Sequence, residues 1–199
     1  MHQDVIWRKP APFAVRSVPS RLRPWLLDRG SLTRSLIKAS QGRFRVEVIR
    51  QGWALPSTDE RRALGMADRR FALVREVVLW GSNERWVYAR SIIPPDALRG
   101  RYRRLRWLNN RPLGALLHSD VRVRRGLIET TGPQNIALDS GQDLHAWCRR
   151  SRYLLAGKPI LVSEAFLMTD GAPWRQSSKN RSTCGRRQKL WCPAVRELN

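Results

Sequence analysis

Residues 71–93 read FALVREVVLWGSNERWVYARSII. Two runs rich in Val, Leu, Ile, Trp and Tyr flank Gly81-Ser82-Asn83-Glu84, which predicts a β-hairpin with strands over Phe71–Trp80 and Trp86–Ile93. Pro94-Pro95 stops the second strand. Side chains alternate across a strand, so Phe71, Leu73, Arg75, Val77 and Leu79 share one face. Arg75 is the only polar member of that face. Glu76 lies on the other face beside Val74, Val78 and Trp80, where a structural role is expected.

The same period of two recurs on both sides of the hairpin. Phe44, Val46 and Val48 alternate with Arg45 and Glu47. Val121–Thr131 reads as a further strand, followed by a Gly, Pro and Asn loop over 132–143. Leu144–Leu155 and Ile160–Met168 read as strands joined by Ala156-Gly157-Lys158-Pro159. In the last of them Ile160, Val162, Glu164, Phe166 and Met168 share a face, and Glu164 is its lone charge. Helical patterns lie between. Ser20 is expected to cap Arg21–Asp28, Ser31 to cap Leu32–Ala39, and proline to start Pro112–His118. Residues 57–69 read as helix or loop, and 99–111 as a very basic connector. Strands joined mainly by hairpins give an α+β class: a single antiparallel sheet of about six strands with helices covering one face. The expected organisation is an irregular lead-in over 1–19, one domain over 20–169, and a basic, flexible extension over 170–199.

Composition bounds the function. The chain has 199 residues and a formal charge of +22, and 33 of its 38 basic residues are Arg. A hydrophobic content of 42% excludes a disordered basic tail protein. A chain of this length buries enough surface to need no disulfide or metal staple. Its three cysteines (Cys148, Cys184, Cys192) make no disulfide framework and point to a reducing cytosol. No signal peptide or membrane span is expected. The charge suggests polyanionic partners, but +17 of it lies on residues 1–168 and only +5 on residues 169–199, a poor match to a phosphate-gripping tail. No zinc-finger spacing, RNA-binding aromatic signature or basic zipper is present, so specific nucleic-acid binding is not expected.

A charge on an apolar strand face must be paired or must bind something. Either Arg75 and Glu164 neutralise each other or one face is exposed after all; or, in a second case, they stand at different points of a closed apolar pocket. In the second case Arg75 suits a carboxylate ligand, because its planar fork donates two parallel hydrogen bonds. Glu164 suits a proton donor, acceptor or hydrogen-bond partner. His2, His118 and His145 form no metal spacing with the cysteines, so no metal is expected. There is no phosphate-cradling glycine loop and no nucleophile elbow. Most of the nine tryptophans are expected to pack rather than to stack bases. In Arg149-Arg150-Ser151-Arg152, Arg150 and Arg152 share a face, expected to be a solvated basic one.

From about residue 20 to 168 the chain resembles the chorismate pyruvate-lyase family. The resemblance is carried by Gly30-Ser31-Leu32-Thr33, Val48-Ile49-Arg50-Gln51-Gly52 and Arg75-Glu76-Val77-Val78-Leu79. It continues through Ala89-Arg90-Ser91-Ile92-Ile93-Pro94, Arg111-Pro112-Leu113-Gly114 and Arg149-Arg150-Ser151-Arg152. It ends with Gly157-Lys158-Pro159-Ile160-Leu161 running to Glu164-Ala165-Phe166-Leu167. It implies a buried site without cofactor, in which chorismate loses pyruvate to give 4-hydroxybenzoate for ubiquinone. By matching positions, Arg75 grips the ring carboxylate, Glu164 meets the ring hydroxyl, and Leu32 and the backbone at Leu113 line the pocket. Familiar members have Met where this chain has Leu32, a mild change that keeps the wall apolar. Arg90, placed on the face of Trp86, Tyr88 and Ile92, is an expected partner for the enolpyruvyl carboxylate. The expected partners are thus chorismate and 4-hydroxybenzoate, bound by a cytoplasmic monomer. Two rivals stand beside this reading. One is a non-catalytic small-molecule-binding domain, as in effector domains of some transcription regulators, although no helix-turn-helix is evident in the first 30 residues. The other is a basic nucleic-acid or membrane-surface binder.

Overall fold

The computed structural model describes residues 6–10, 16–137 and 143–175. Six strands form one antiparallel sheet in the order β1-β2-β3-β6-β5-β4. They are β1 (Phe44–Ala54), β2 (Ala72–Gly81), β3 (Glu84–Ile93), β4 (Arg124–Ala137), β5 (Asp143–Leu155) and β6 (Lys158–Leu167). Each half of the sheet is a three-stranded meander, and the two meet where β3 pairs with β6.

Turn chemistry sets the two tightest corners. Ser82 and Asn83 both have positive φ, as do Ala156 and Gly157. Both pairs fit two-residue hairpin loops whose twist matches that of the flanking strands. Gly81 is required for a different reason: a Cβ there would fall 2.2 Å from the Trp86 ring.

Among the described residues four α-helices of five residues or more accompany the sheet: α1 (Arg23–Leu27), α2 (Leu32–Ala39), α3 (Thr58–Leu64) and α4 (Leu113–Ser119). Ser31 caps α2 by accepting from the Arg34 N–H. Ser20 does not cap α1; that helix starts at Arg23, with Pro24 in its first turn, where its missing N–H costs nothing. The connector over 99–111 contains a 3-10 segment at Gly100–Trp107. Helices α1, α2 and α4 and this connector cover the sheet face that carries Leu73, Val77 and Leu79. Helix α3 is the exception to one-sided covering. It has a Ser57–Glu60 capping box and sets Leu64 against Ala72, Val74, Ile92 and Leu161 on the opposite face.

Two sequence expectations are corrected. The loop expected over 132–143 is largely strand, because β4 runs to Ala137 and pairs with β5 from Asp143. Pro133 is tolerated because β4 is an edge strand and its register shifts between Thr131 and Pro133. The body also exceeds the expected limits of 20 and 169. Val18 is core, Arg8 pairs with Thr130, and Trp174 is buried at 1% exposure. Trp174 packs edge-on against Trp25, Trp86 and Phe166 and donates its indole N–H to the Leu167 carbonyl at 2.9 Å. Cys184 and Cys192 lie outside the described residues. No helix among the described residues is long and apolar enough to cross a membrane.

The position of Trp174 generates a truncation test. Ending the chain after Thr169 removes a fully buried aromatic and should cost roughly 3–5 kcal/mol of stability. Ending it after Arg175 should leave the thermal midpoint within a few degrees of the full chain. Equal melting of the two truncations would remove Trp174 from the core.

Candidate functional site

The covered face of the sheet is largely apolar, and three charged side chains, Arg75, Arg149 and Glu164, reach into one cavity there. Register places them. Arg75 on β2 pairs with Ser91 on β3, which pairs with Val162 on β6. One step along the strands, Val77 pairs with Ala89, Ala89 with Glu164, and Glu164 with Arg149 on β5. Arg75 and Glu164 therefore sit on adjacent rows, roughly 10 Å apart across the strands and roughly 7 Å along them. The space between them is walled by Val77, Ala89 and Val162, all cavity-lining.

Four of the five residues singled out from the sequence line this cavity: Leu32, Arg75, Leu113 and Glu164. Leu32 opens α2 and Leu113 opens α4. The two helices approach closely because of Gly114, whose Cβ would meet the Thr33 hydroxyl at 2.8 Å. Any side chain there would push α4 off α2 and open the wall. The cavity holds about 40 Å³, room for a few water molecules, so a ring-sized ligand enters only if the covering α2 and α4 segments give way.

Arg75 is 2% exposed. It donates Nη1–H to Gln51 Oε1 at 2.7 Å, and Nη2–H to the carbonyls of Asn109 at 2.7 Å and Arg111 at 3.1 Å. Burial pulls its guanidinium below the ordinary Arg range. Its partners are all neutral. That settles one of the sequence alternatives: Arg75 and Glu164 do not neutralise each other.

The ion-pair partner of Glu164 is Arg149, which sequence reasoning did not select. Arg149 Nε donates to Glu164 Oε2 at 2.5 Å. Its Nη1 donates to the carbonyls of Trp25 at 2.7 Å and Asp28 at 2.9 Å, at the end of α1. Arg149 is 1% exposed and lines the cavity. The signal was available in the alternation: Trp147, Arg149, Ser151 and Tyr153 share a face, and an arginine between two aromatics is not a solvated one. His118 and Tyr153 complete this end. Burial, helped by Arg125, holds the His118 imidazole below its ordinary value, so it is neutral at pH 7. Burial, with Glu164 nearby, pushes the Tyr153 phenol up to about 12, so it is a hydrogen-bond donor there.

Arg90 is corrected. It lies on the opposite sheet face, locked between Glu60 on α3, at 2.7 Å, and Glu76. Burial alone would depress its guanidinium, but the two carboxylates outweigh that and raise it. It pins α3 to the sheet and does not reach the cavity. The expectation for Arg150 fails likewise: it is buried on the far face, ion-paired with Glu129 at 2.7 Å and with Asp59.

Residues 1–178 match the family model described as chorismate lyase. A Methylococcus capsulatus protein called probable chorismate pyruvate-lyase is 43% identical over 152 residues, covering 73% of this chain and 94% of its own. One of the same name from Aromatoleum aromaticum is 38% identical over 172 residues, covering 81% and 90%. A solved structure of a Staphylococcus aureus gene product superposes with a TM-score of 0.53 at 12% identity, covering 73% of this chain and 92% of that one. That last likeness is one of fold alone.

The Arg149–Glu164 pair generates a stability cycle. Arg149→Met leaves the partly buried Glu164 carboxylate without its partner and removes donors from two carbonyls, and should cost about 3 kcal/mol in denaturant unfolding. The double variant Arg149→Met, Glu164→Gln leaves no stranded charge and should recover part of that loss. Strict additivity of the two single changes would deny that the pair is coupled.

Proposed function

The chain belongs to the chorismate lyase family, and we propose that it is a lyase that eliminates pyruvate from chorismate and leaves 4-hydroxybenzoate. The observation that carries the proposal is the pairing, in one enclosed cavity, of a fork-shaped cation and a carboxylate set apart by an apolar gap. Chorismate presents a ring carboxylate at one end and a ring hydroxyl at the other.

The reaction breaks the bond between a ring carbon and the ether oxygen of the enolpyruvyl group. The hydrogen on the hydroxyl-bearing ring carbon is lost, the ring becomes aromatic, and the side chain gains a proton and leaves as pyruvate. Aromatisation supplies the driving force, so the protein's work is positioning and charge stabilisation. Arg75 grips the ring carboxylate. Three of its N–H donors meet protein acceptors among the described residues; a guanidinium carries five. Glu164 accepts from the ring hydroxyl. Arg149 is its positioning residue, because a bond to Oε2 fixes the carboxylate plane. With Arg90 on the far face, Arg149 is also the cavity cation at this end available to the enolpyruvyl carboxylate. Leu32 and the backbone at Leu113 close the apolar wall. A role in supplying the aromatic ring of ubiquinone, a cytosolic location and a monomeric state complete the proposal, and they rest on the family resemblance and the cysteine content.

The direct test is incubation of purified protein with chorismate, followed by 4-hydroxybenzoate and pyruvate in parallel. Equimolar appearance of both is expected; chorismate left intact by folded protein would defeat the reading. Arg75→Ala should weaken substrate and 4-hydroxybenzoate together, since both carry the ring carboxylate, and Arg75→Lys should restore only part. Unchanged product affinity in folded Arg75→Ala would exclude the role. Glu164→Gln should lower turnover by at least about tenfold with a modest change in stability. If it melts early yet turns over normally where folded, Glu164 is structural only.

A further inference from the structure

Eight large hydrophobic side chains are strongly exposed among the described residues, and four of them gather at one corner. Trp53 (49% exposed) lies at the end of β1, Leu55 (46%) just follows it, and Phe71 (56%) precedes β2. Register joins them: Trp53 pairs with Leu73 and Ala54 with Ala72, which sets Leu55 beside Phe71. Trp107 (67%) belongs to the connector, which is tied to the same corner because Gln51 Nε2 donates to the Arg106 carbonyl at 2.7 Å. The Arg106 guanidinium lies over the Trp53 ring, 5.7 Å from its centre.

The rim is strongly basic. Residues 99–111 contain six arginines and no acid. Arg103, Arg104 and Arg111 are exposed on this connector, and Arg69 is exposed beside Phe71. The acids nearby, Asp68 and Asp96, each already face arginines of their own (Arg61; Arg70 and Arg99).

We propose that this corner docks the protein on an anionic membrane surface, with Trp53, Leu55, Phe71 and Trp107 entering the interfacial layer and the surrounding arginines meeting lipid phosphates. Amphipathic aromatics favour that layer, and anionic headgroups attract a polybasic rim. Charge complementarity selects this occupant over a second copy of the chain, since two surfaces of a protein carrying +22 repel. Single-stranded nucleic acid shares the charge but needs open ring faces for stacking. Here Arg106 already covers one face of Trp53, and Leu55 has no ring. The connector that carries the patch also supplies the Asn109 and Arg111 carbonyls to Arg75, so a docked molecule holds its ligand cavity directly beneath the contact.

The test is flotation of the full chain with vesicles of phosphatidylcholine alone or mixed with phosphatidylglycerol. Binding to the mixed vesicles that fades with salt is expected, with little on the neutral ones. The pair Phe71→Ser, Trp107→Ser and, separately, the pair Arg103→Glu, Arg104→Glu should each lower bound protein by about tenfold while leaving chorismate turnover in solution unchanged. Arg152→Glu, exposed away from this corner, should bind as the parent does. No binding, equal binding to neutral vesicles, or an equal loss in Arg152→Glu would overturn the proposal. So would vesicle binding indifferent to both pairs, or patch variants that abolish binding of a single-stranded RNA oligonucleotide and spare the vesicles.

Discussion

Two buried guanidinium groups hold the covering segments onto the sheet. A cation taken out of water must recover its hydrogen bonds inside the protein, and the sheet face around Arg75 and Arg149 is apolar. Arg75 recovers them from the connector, at the carbonyls of Asn109 and Arg111. Arg149 recovers them from α1, at Trp25 and Asp28, and from Glu164. Each segment donates carbonyls that a helix end or a 3-10 turn would otherwise leave to solvent. The need to solvate two charges thus helps to roof the cavity that both of them line.

The far face uses the same residue types to a different end. Arg90 with Glu60 and Glu76, and Arg150 with Asp59 and Glu129, are cations surrounded by carboxylates. Such a network is satisfied within the protein and has little to offer a ligand. Arg75, surrounded by neutral acceptors, keeps its charge uncompensated. What separates Arg90 and Arg150 from Arg75 is their partners and not their burial.

This explains what the sequence disclosed. Strand faces are legible because period-two alternation is local, and it selected Arg75 and Glu164 before any contact was known. Partners are not local. The bulge opposite Leu79 and Trp80, which shifts the β2–β3 register, turns Trp86 onto the covered face, while Arg90, opposite Glu76, stays on the far one. Residues Trp86 and Tyr88, read as one face with Arg90, then fall into different clusters. Arg149 was legible by alternation but hidden by its neighbours, since a run of three arginines in four residues looks solvated. Trp174 lay beyond the last periodic segment, and nothing in Gly171–Arg175 announces that its indole fills the space between Trp25, Trp86 and Phe166. Pro133 and Gly132 read as a loop because a bulged edge strand tolerates the residues that loops prefer.

The seam between the two meanders carries a kinetic consequence. Hairpins closed by two-residue turns form within about 1–10 μs, so the β2–β3 and β5–β6 pairs can each organise early and alone. The seam pairs Ala89 with Glu164, 75 residues apart in the chain, and contacts of such span pay loop-closure entropy before they return anything. Arg75 belongs to one meander, Glu164 and Arg149 to the other. The cavity therefore comes into being only when the seam closes, and neither half of the sheet carries it alone.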